Sequence, residues 1–413
     1  MIRFDSGNLL LPPALLNRYR RQAAAAVESF REKSENGLHG FPHLPFQDQA
    51  IAEVRRYAAS CKGRFDAICL IGIGGSALGA WTLDCALRRP GQPRLVILDN
   101  VDPALIGSAL DSMNPRRTLV LVTTKSGSTA ETIATYMVVR RWLGQNLARQ
   151  VVAITDPEKG DLLEIARREG CPVFHVPPNV GGRFSILSPV GLLPGALIGV
   201  DVRKLCAGAR DMTRLCWNTA PGENPALEAA LAHYLMLDKK GKTIQVVFSY
   251  SSLLWGLAFW FRQLWAESLG KEGRGQTPIA ALGVTDQHSQ VQLYLEGPND
   301  KVFTLWAVGG HRSLKIPKAF PDLDSCGYLA GQSLGRLFDA EREATTEALT
   351  RYRRPNCTVT LPRVNAYYLG AFLQLLEFQT AFMGELMRIN AFDQPGVELG
   401  KRITYAKMGR KGY

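Results

Sequence analysis

The stretch ICLIGIGGSALG, residues 68–79, decides the fold, because an apolar strand in it ends at glycines and is followed by a serine. Gly72, Gly74 and Gly75 remove side-chain bulk, so the backbone can approach an anion closely. The helix that should follow presents unpaired N–H groups, and Ser76 adds a hydroxyl donor. The pattern predicts a strand, a phosphate-binding turn and a helix, the repeating unit of an α/β sheet.

This segment alone does not separate a sugar phosphate from a dinucleotide. Gly72, Gly74 and Ala77 also fit a loose G-x-G-x-x-A fingerprint. Asp99, at the end of the next apolar strand, could then contact a ribose, as in a dinucleotide-dependent dehydrogenase. A tight strand-to-helix turn that holds no ligand is a further alternative.

A second strand is followed by hydroxyl side chains in TLVLVTTKSGSTAET, residues 118–132. One alternative is a capping box, since Ser128 stands three residues before Glu131. A single capping hydroxyl does not account for the others, so we expect a second anion-binding turn. The residues that we expect to supply it are Thr124, Lys125, Ser126, Ser128, Thr129 and Thr132.

Composition narrows the class of protein. The chain has 413 residues, 46% hydrophobic and 21% charged, with a formal net charge of +12 that favours anionic ligands. The basic residues form no block and accompany no nucleic-acid motif, so neither nucleic acid nor membrane binding is predicted. Eight scattered cysteines without a C-x-x-C pair or a secretory leader indicate free thiols and a cytoplasmic location.

Alternation of apolar runs with helical patterns predicts an α/β protein of two domains. Residues 14–35 are predicted to form an exposed helix, residues 287–294 another helix, and residues 367–388 a long apolar helix. The predicted divisions are an N-terminal helical arm and linker at 1–44, a first α/β domain at 45–216, a second at 217–360 and a C-terminal helical segment at 361–413.

Two further segments contain candidates for chemistry on an anion. In NVGGRFSILSPVG, two glycines precede Arg183, whose guanidinium suits an anionic intermediate; a surface ion pair is the alternative. In WFRQLWAESLGKEG, Glu267 stands in the last turn of an aromatic-rich helix, where it opposes the helix dipole and could act as a general base. Its structural alternative is an ion pair with Arg262 or Lys271.

Two more segments contain residues that could move protons. His288 follows a strand and could exchange a proton near neutral pH, although a structural histidine is the alternative. The segment FDQPGVELGK contains Gln394, Glu398 and Lys401. The structural alternative to a catalytic role is a helix start with Glu398 in the first turn and Lys401 toward the next turn.

Taken together and in order, these segments resemble the glucose-6-phosphate isomerase family in its shorter bacterial form. The resemblance runs through most of residues 45–405, and GGRFS and FDQPGVELGK look like the two signature patterns of that family. The six segments that carry it are GIGGSALG, TKSGSTAET, GGRFS, ESLGKEG, TDQHSQ and FDQPGVELGK.

The resemblance implies two sugar-isomerase (SIS) domains, each an α/β sandwich around a mainly parallel sheet, plus a C-terminal helical segment. It implies reversible isomerisation of D-glucose 6-phosphate to D-fructose 6-phosphate through a cis-enediolate, in glycolysis and gluconeogenesis, without cofactor or metal. It also implies a homodimer in which the histidine reaches the pocket from the other subunit.

The resemblance also assigns roles to residues. Glu267 resembles the base that moves a proton between C1 and C2, and Arg183 the cation beside the enediolate. His288 and Lys401 resemble the pair that opens the sugar ring, and Gln394 a substrate contact near them. Those implied to hold the phosphate are Gly75, Ser76, Thr124, Lys125, Ser126, Thr129 and Thr132.

One departure and one alternative remain. Thr124 stands where a serine is frequent in the family and Ser126 where a threonine is common, but both keep a hydroxyl donor. A non-catalytic sugar-phosphate sensor on the same fold would need no base or ring-opening pair, so Glu267, His288 and Lys401 together favour an enzyme.

Overall fold

Two five-stranded sheets with helices packed around them form the framework, and they confirm the predicted α/β class with mainly parallel sheets. The computed structural model describes residues 2–144, 147–410 and 412. Among these residues, no helix combines the length and the apolar composition needed to cross a membrane. The chain begins with β1 (Arg3–Asp5), α1 (Pro13–Glu35) and α2 (Asp48–Ser60).

The first sheet is entirely parallel, in the order β3-β2-β4-β5-β6. β2, β4 and β5 are buried along their whole length, as expected for strands covered on both faces. Its elements are β2 (Ala67–Ile71), α3 (Leu78–Leu87), β3 (Arg94–Leu98), α4 (Pro103–Asp111), β4 (Thr118–Thr123), α5 (Ala130–Leu143), α6 (Leu147–Gln150), β5 (Val151–Thr155), α7 (Asp161–Glu169), β6 (Val173–His175), α8 (Pro189–Leu197) and α9 (Val202–Cys216).

The second sheet has the order β1-β10-β9-β7-β8 and is parallel except for β1. Its other elements are α10 (Pro225–Lys240), β7 (Ile244–Ser249), α11 (Trp255–Leu269), β8 (Thr277–Leu282), α12 (Val291–Glu296), β9 (Lys301–Val308), α13 (Asp324–Gly327), α14 (Leu334–Arg351) and β10 (Asn356–Leu361). The chain ends with α15 (Ala366–Met387), close to the predicted apolar helix, and α16 (Glu398–Lys407).

Ligand-binding crevices in such sheets form where neighbouring strands send their connections in opposite directions. In the first sheet this switch point lies between β2 and β4, because the chain leaves β2 for β3 on one side and returns to β4 on the other. The glycine turn follows β2 and the hydroxyl-rich turn follows β4. The topology therefore places both predicted anion sites at one edge of the sheet.

One strand was not predicted, and two local predictions are wrong. Residues 3–5, inside the predicted helical arm, form β1, which extends the second sheet. The α1 helix is not exposed, since Val27 and Phe30 are buried and the helix packs against α15. The helix expected at 287–294 begins only at Val291, after a 3-10 turn at Thr285–Gln287.

The α15 helix is the centre of the largest core and is buried over most of its length. It packs on α1, α9, α10 and α11. A methyl group at Gly208 of α9 would lie 1.8 Å from the carbonyl oxygen of Tyr367, and one at Gly370 would lie 1.9 Å from that of Leu205. Glycine at both positions lets the two backbones touch.

All eight cysteines are free thiols. Cys69 lies in β2 of the first sheet and Cys357 in β10 of the second, and both are buried. Burial raises the pKa of each of these two thiols to about 12.

The helix contact at Gly208 yields a stability prediction. Gly208→Ala should lower the free energy of unfolding by about 1–3 kcal/mol, because the added methyl forces α9 away from α15. Gly107→Ala, inside α4 with nothing within 4 Å of the new methyl, is the matched control and should be neutral or stabilising. Urea denaturation monitored by circular dichroism measures both; equal midpoints for the two variants would contradict the packing argument.

Candidate active site

The turn after β4 gathers three hydroxyl groups. Thr124 Oγ1 lies 2.8 Å from Thr129 Oγ1, and Ser126 Oγ lies 3.3 Å from each of them. The α5 helix begins at Ala130 with Thr129 at the N-cap, and no side chain caps it. The capping-box alternative for Ser128 is therefore wrong. Hydroxyls and helix N–H groups together form a cradle suited to a phosphate.

Thr132 lies in the first turn of α5, next to this cradle. Its side chain is buried, and its Oγ1 has no hydrogen-bond partner among the described residues. A buried hydroxyl without a partner costs free energy, which a ligand or a water molecule can recover.

The glycine turn after β2 packs against the loop that carries Arg183. It is a 3-10 turn at Gly74–Ser76, with Ser76 half-buried. A methyl group at Gly75 would lie 2.4 Å from the carbonyl group of Gly182. The absence of a side chain at Gly75 thus makes room for another loop of the same protein, and the predicted approach to an anion stays a prediction.

Arg183 is buried, and four of its N–H groups bond to the protein. Nε donates to Ser268 Oγ at 2.7 Å and Nη1 to Gln394 Oε1 at 2.8 Å. Nη2 donates to the carbonyl oxygens of Ala391 at 2.7 Å and Asp393 at 3.0 Å. Since a guanidinium has five N–H donors, one remains on Nη1 for a further acceptor. The surface ion-pair alternative for Arg183 is wrong.

Glu267 lies beside that free donor. Its Oε2 is 3.6 Å from Arg183 Nη1 and accepts a hydrogen bond from Gln263 Nε2 at 3.1 Å. The ion pairs expected with Arg262 or Lys271 are absent from the described residues. Burial lowers the pKa of Arg183, while the carboxylate of Glu267 opposes that change.

The loop between α15 and α16 is held from both sides. Lys271 Nζ donates to the carbonyl oxygen of Asp393 at 2.9 Å and pairs with its carboxylate at 2.8 Å. Arg183 bonds the same carbonyl, which fixes Gln394 beside the guanidinium. Sequence reasoning missed the roles of Lys271 and Ser268 in holding this site. Both residues stand in ESLGKEG, the segment that also contains Glu267, and this proximity in sequence was the signal that could have identified them.

Lys125 does not point into the hydroxyl cradle. Its Nζ donates to the carbonyl oxygens of Pro178 at 2.7 Å and Val180 at 2.8 Å, in the loop that leads to Arg183. Burial lowers the pKa of Lys125, and Asp156 opposes the change.

His288 lies outside this cluster. It is exposed at the end of its 3-10 turn, and none of the contacts found in the described residues joins it to Glu267 or Arg183. Asp286 fixes the turn by accepting the N–H of Leu282 at 2.7 Å. Gln287 donates to the hydroxyl of Tyr250 at 2.7 Å. These two neighbours hold the turn, while the histidine faces outward.

Lys401 also lies outside the cluster. It stands on α16, and its Nζ pairs with Glu398 Oε1 at 2.8 Å, as the structural alternative for this segment expected. No residue of α16 is buried. One chain therefore brings together Glu267, Arg183 and Gln394, but neither His288 nor Lys401.

Known proteins resemble this chain over most of its length. The sequence model for phosphoglucose isomerase matches residues 53–285 and 339–409. A protein from Carboxydothermus hydrogenoformans named glucose-6-phosphate isomerase is 44% identical over 427 residues, covering 98% of this chain and 92% of the relative. One of the same name from Rubrobacter xylanophilus is 51% identical over 359 residues, covering 83% of this chain and 82% of the relative.

Solved structures agree as well. A hypothetical protein from Thermus thermophilus has a TM-score of 0.92 and 40% identity, covering 99% of this chain and 100% of that one. A glucose-6-phosphate isomerase from Chlamydia trachomatis has a TM-score of 0.87 at 20% identity, covering 99% and 88%, and supports the fold alone. On the match of sequence model and relatives, this chain belongs to the phosphoglucose isomerase family.

Proposed function

We propose that the chain interconverts D-glucose 6-phosphate and D-fructose 6-phosphate through a cis-enediolate. The observation that carries this proposal is the 3.6 Å pairing of Glu267 with Arg183, beside the glycine turn that follows β2. Proton transfer next to a carbonyl needs a carboxylate base and a cation at the developing oxyanion, and this pair supplies both. Membership of the family supports the same substrate.

The phosphate is held at the switch point of the first sheet. Ser76, Thr124, Ser126 and Thr129 supply hydroxyl donors, and the N-terminus of α5 supplies N–H groups. Thr132 gains a partner for its buried hydroxyl when water or ligand fills the cradle. Binding at the phosphate orients the sugar, so that little entropy is lost in the proton-transfer step.

Glu267 takes the proton from C2 and returns it to C1. Its side chain is 21% exposed, so substrate can reach it, and Gln263 fixes one of its carboxylate oxygens. The remaining N–H of Arg183 stabilises the enediolate oxygen without rearranging, because four protein contacts already hold the guanidinium. The electron pair of the C2–H bond stays on the substrate, Glu267 returns the proton to C1, and a hydroxyl proton passes from O2 to O1, so the step balances without a redox partner. A dehydrogenase would leave this pair and the hydroxyl cradle without roles.

Glu267→Gln tests the base directly. Turnover should fall by roughly 10²- to 10⁴-fold, because the amide cannot accept the proton. The inhibition constant of inorganic phosphate should stay unchanged, because the cradle is intact. A coupled assay of fructose 6-phosphate formation measures both parameters. The control is Glu272→Gln, which changes an exposed glutamate in the same segment and should keep wild-type turnover. Near-normal turnover of Glu267→Gln would show that Glu267 is not the base.

The ring-opening pair is proposed to be completed in a cytoplasmic homodimer. Leu399, Ile403 and Met408 on and after α16 are exposed, and apolar groups gathered on one segment favour a covering partner. His288 is exposed and so is free to reach a second copy. In this arrangement His288 enters the pocket of the other subunit, and Lys401 approaches the same sugar ring.

Mixing two inactive variants tests that arrangement. A dimer of one Glu267→Gln chain and one His288→Ala chain holds one complete site if the histidine acts across the interface. Random reassociation should then restore about a quarter of wild-type activity, since half of the dimers are mixed and each has one active site. Sedimentation confirms the dimer. Activity no higher than that of the separate variants would show that His288 acts within its own chain.

Lys125 is proposed to be a positioning residue, although the resemblance assigns it to the phosphate. Its two hydrogen bonds tie the phosphate-binding turn to the loop that carries Arg183. Binding of phosphate and placement of the guanidinium are therefore linked through one ammonium group.

Lys125→Met separates the two roles. Loss of the two hydrogen bonds from Lys125 should lower kcat about tenfold or more, because hydrogen bonds to a charged group contribute about 1.5–3 kcal/mol each. The inhibition constant of inorganic phosphate should change little. Lys159→Met removes a neighbouring exposed cation without touching the loop and should leave both parameters unchanged. If Lys125 binds the phosphate, phosphate inhibition will weaken in step with a rise in KM.

A further inference from the structure

A cavity of about 1290 Å³ lies at the amino-terminal edge of the first sheet, opposite the phosphate cradle. Its walls come from α2, from the turn that leads into β2, from the α3–β3 connection and from the junction of α8 with α9. It shares no residue with the candidate active site. Its size suits a small-molecule ligand larger than a single phosphate group.

The charge of the lining is strongly unbalanced. Seven arginines and lysines line the cavity against three aspartates. Each aspartate already has a basic partner: Asp66 pairs with Arg117, Asp48 with Arg210 and Asp201 with Lys204. An excess of cationic groups therefore remains after these pairs are made.

Four basic side chains of the lining have no carboxylate within ion-pair distance in the part of the chain that is described. They are Arg55, Lys62, Arg89 and Arg203. Like charges that share a concave surface repel one another, and a bound anion relieves that repulsion. Arginine forks are well matched to phosphate oxygens.

The floor of the cavity is apolar. Ile51, Phe65, Leu197 and Val200 line it, and each is buried in the folded chain. Apolar lining of low dielectric constant strengthens the field of the basic groups that share the cavity and offers a surface to an apolar ring. The lining thus combines sites for several negative charges with a place for a flat, weakly polar group.

We propose that this cavity binds a nucleoside triphosphate. The phosphates contact the unpaired basic groups, chiefly Arg55 of α2 and Arg203 of α9. The base packs on the apolar floor near Phe65. The site is separate from the sugar-phosphate site and does not depend on the isomerase reaction.

Calorimetric titration of the full chain with ATP tests the proposal. Wild type should bind one ATP per chain, more tightly than tripolyphosphate, because only ATP uses the floor. Arg55→Glu combined with Arg203→Glu should weaken ATP binding by about tenfold or more. The matched control, Arg18→Glu with Arg141→Glu, reverses two exposed charges elsewhere and should leave the affinity unchanged. Ser126→Ala should also leave it unchanged.

Four results would overturn the proposal. The first is no ATP binding by wild type, and the second is equal weakening by both double variants, which would indicate general charge attraction. Loss of binding in Ser126→Ala alone would place the ATP in the phosphate cradle. Equal affinity for tripolyphosphate and ATP would show that the nucleoside does not contribute to binding. Circular dichroism and retained isomerase turnover check that the Arg55/Arg203 variant is folded.

Discussion

The buried guanidinium of Arg183 is the interaction on which the site depends. A charge removed from water is tolerated only when its donors find acceptors, and four of its N–H groups do so. The acceptors come from α11 and from the loop after α15, whereas Arg183 itself follows the first sheet. One side chain therefore joins three segments that are distant in sequence, and the arrangement of the reacting groups follows from that junction.

The two sheets contribute different parts of the proposed chemistry. The first sheet presents hydroxyls and helix N–H groups where β2 and β4 diverge, which suits a phosphate. Glu267 comes from α11, which follows β7 of the second sheet. The glycine turn at Gly74–Ser76 is a point of contact between the two halves, because a methyl group at Gly74 would lie 2.8 Å from Nε2 of Gln263 on α11. In the proposed reaction, phosphate anchoring and proton transfer are thus divided between two halves that meet at a glycine.

Sequence patterns predicted the features that depend on residues close to one another in the chain. Glycines after β2 and hydroxyls after β4 meet because parallel strands end at a common edge, and strand periodicity shows that edge. Patterns could not predict the direction of Lys125, which is set by carbonyl groups more than fifty residues away. Burial of α1 and pairing of β1 depend likewise on distant partners, α15 and β10. His288 and Lys401 were grouped by resemblance alone, and one chain keeps them apart from Glu267.

Each sheet contains a buried thiol whose reaction with an alkylating reagent can report when that sheet opens. Cys69 and Cys357 lie within the strands of different sheets, and a thiol that is both covered and protonated does not react with an alkylating reagent. Each becomes reactive only when its strand separates from its neighbours. In chains that keep one of these cysteines at a time, the labelling rate reports the free energy of opening of that sheet. Matching rates would mean that the two halves unfold as one cooperative unit.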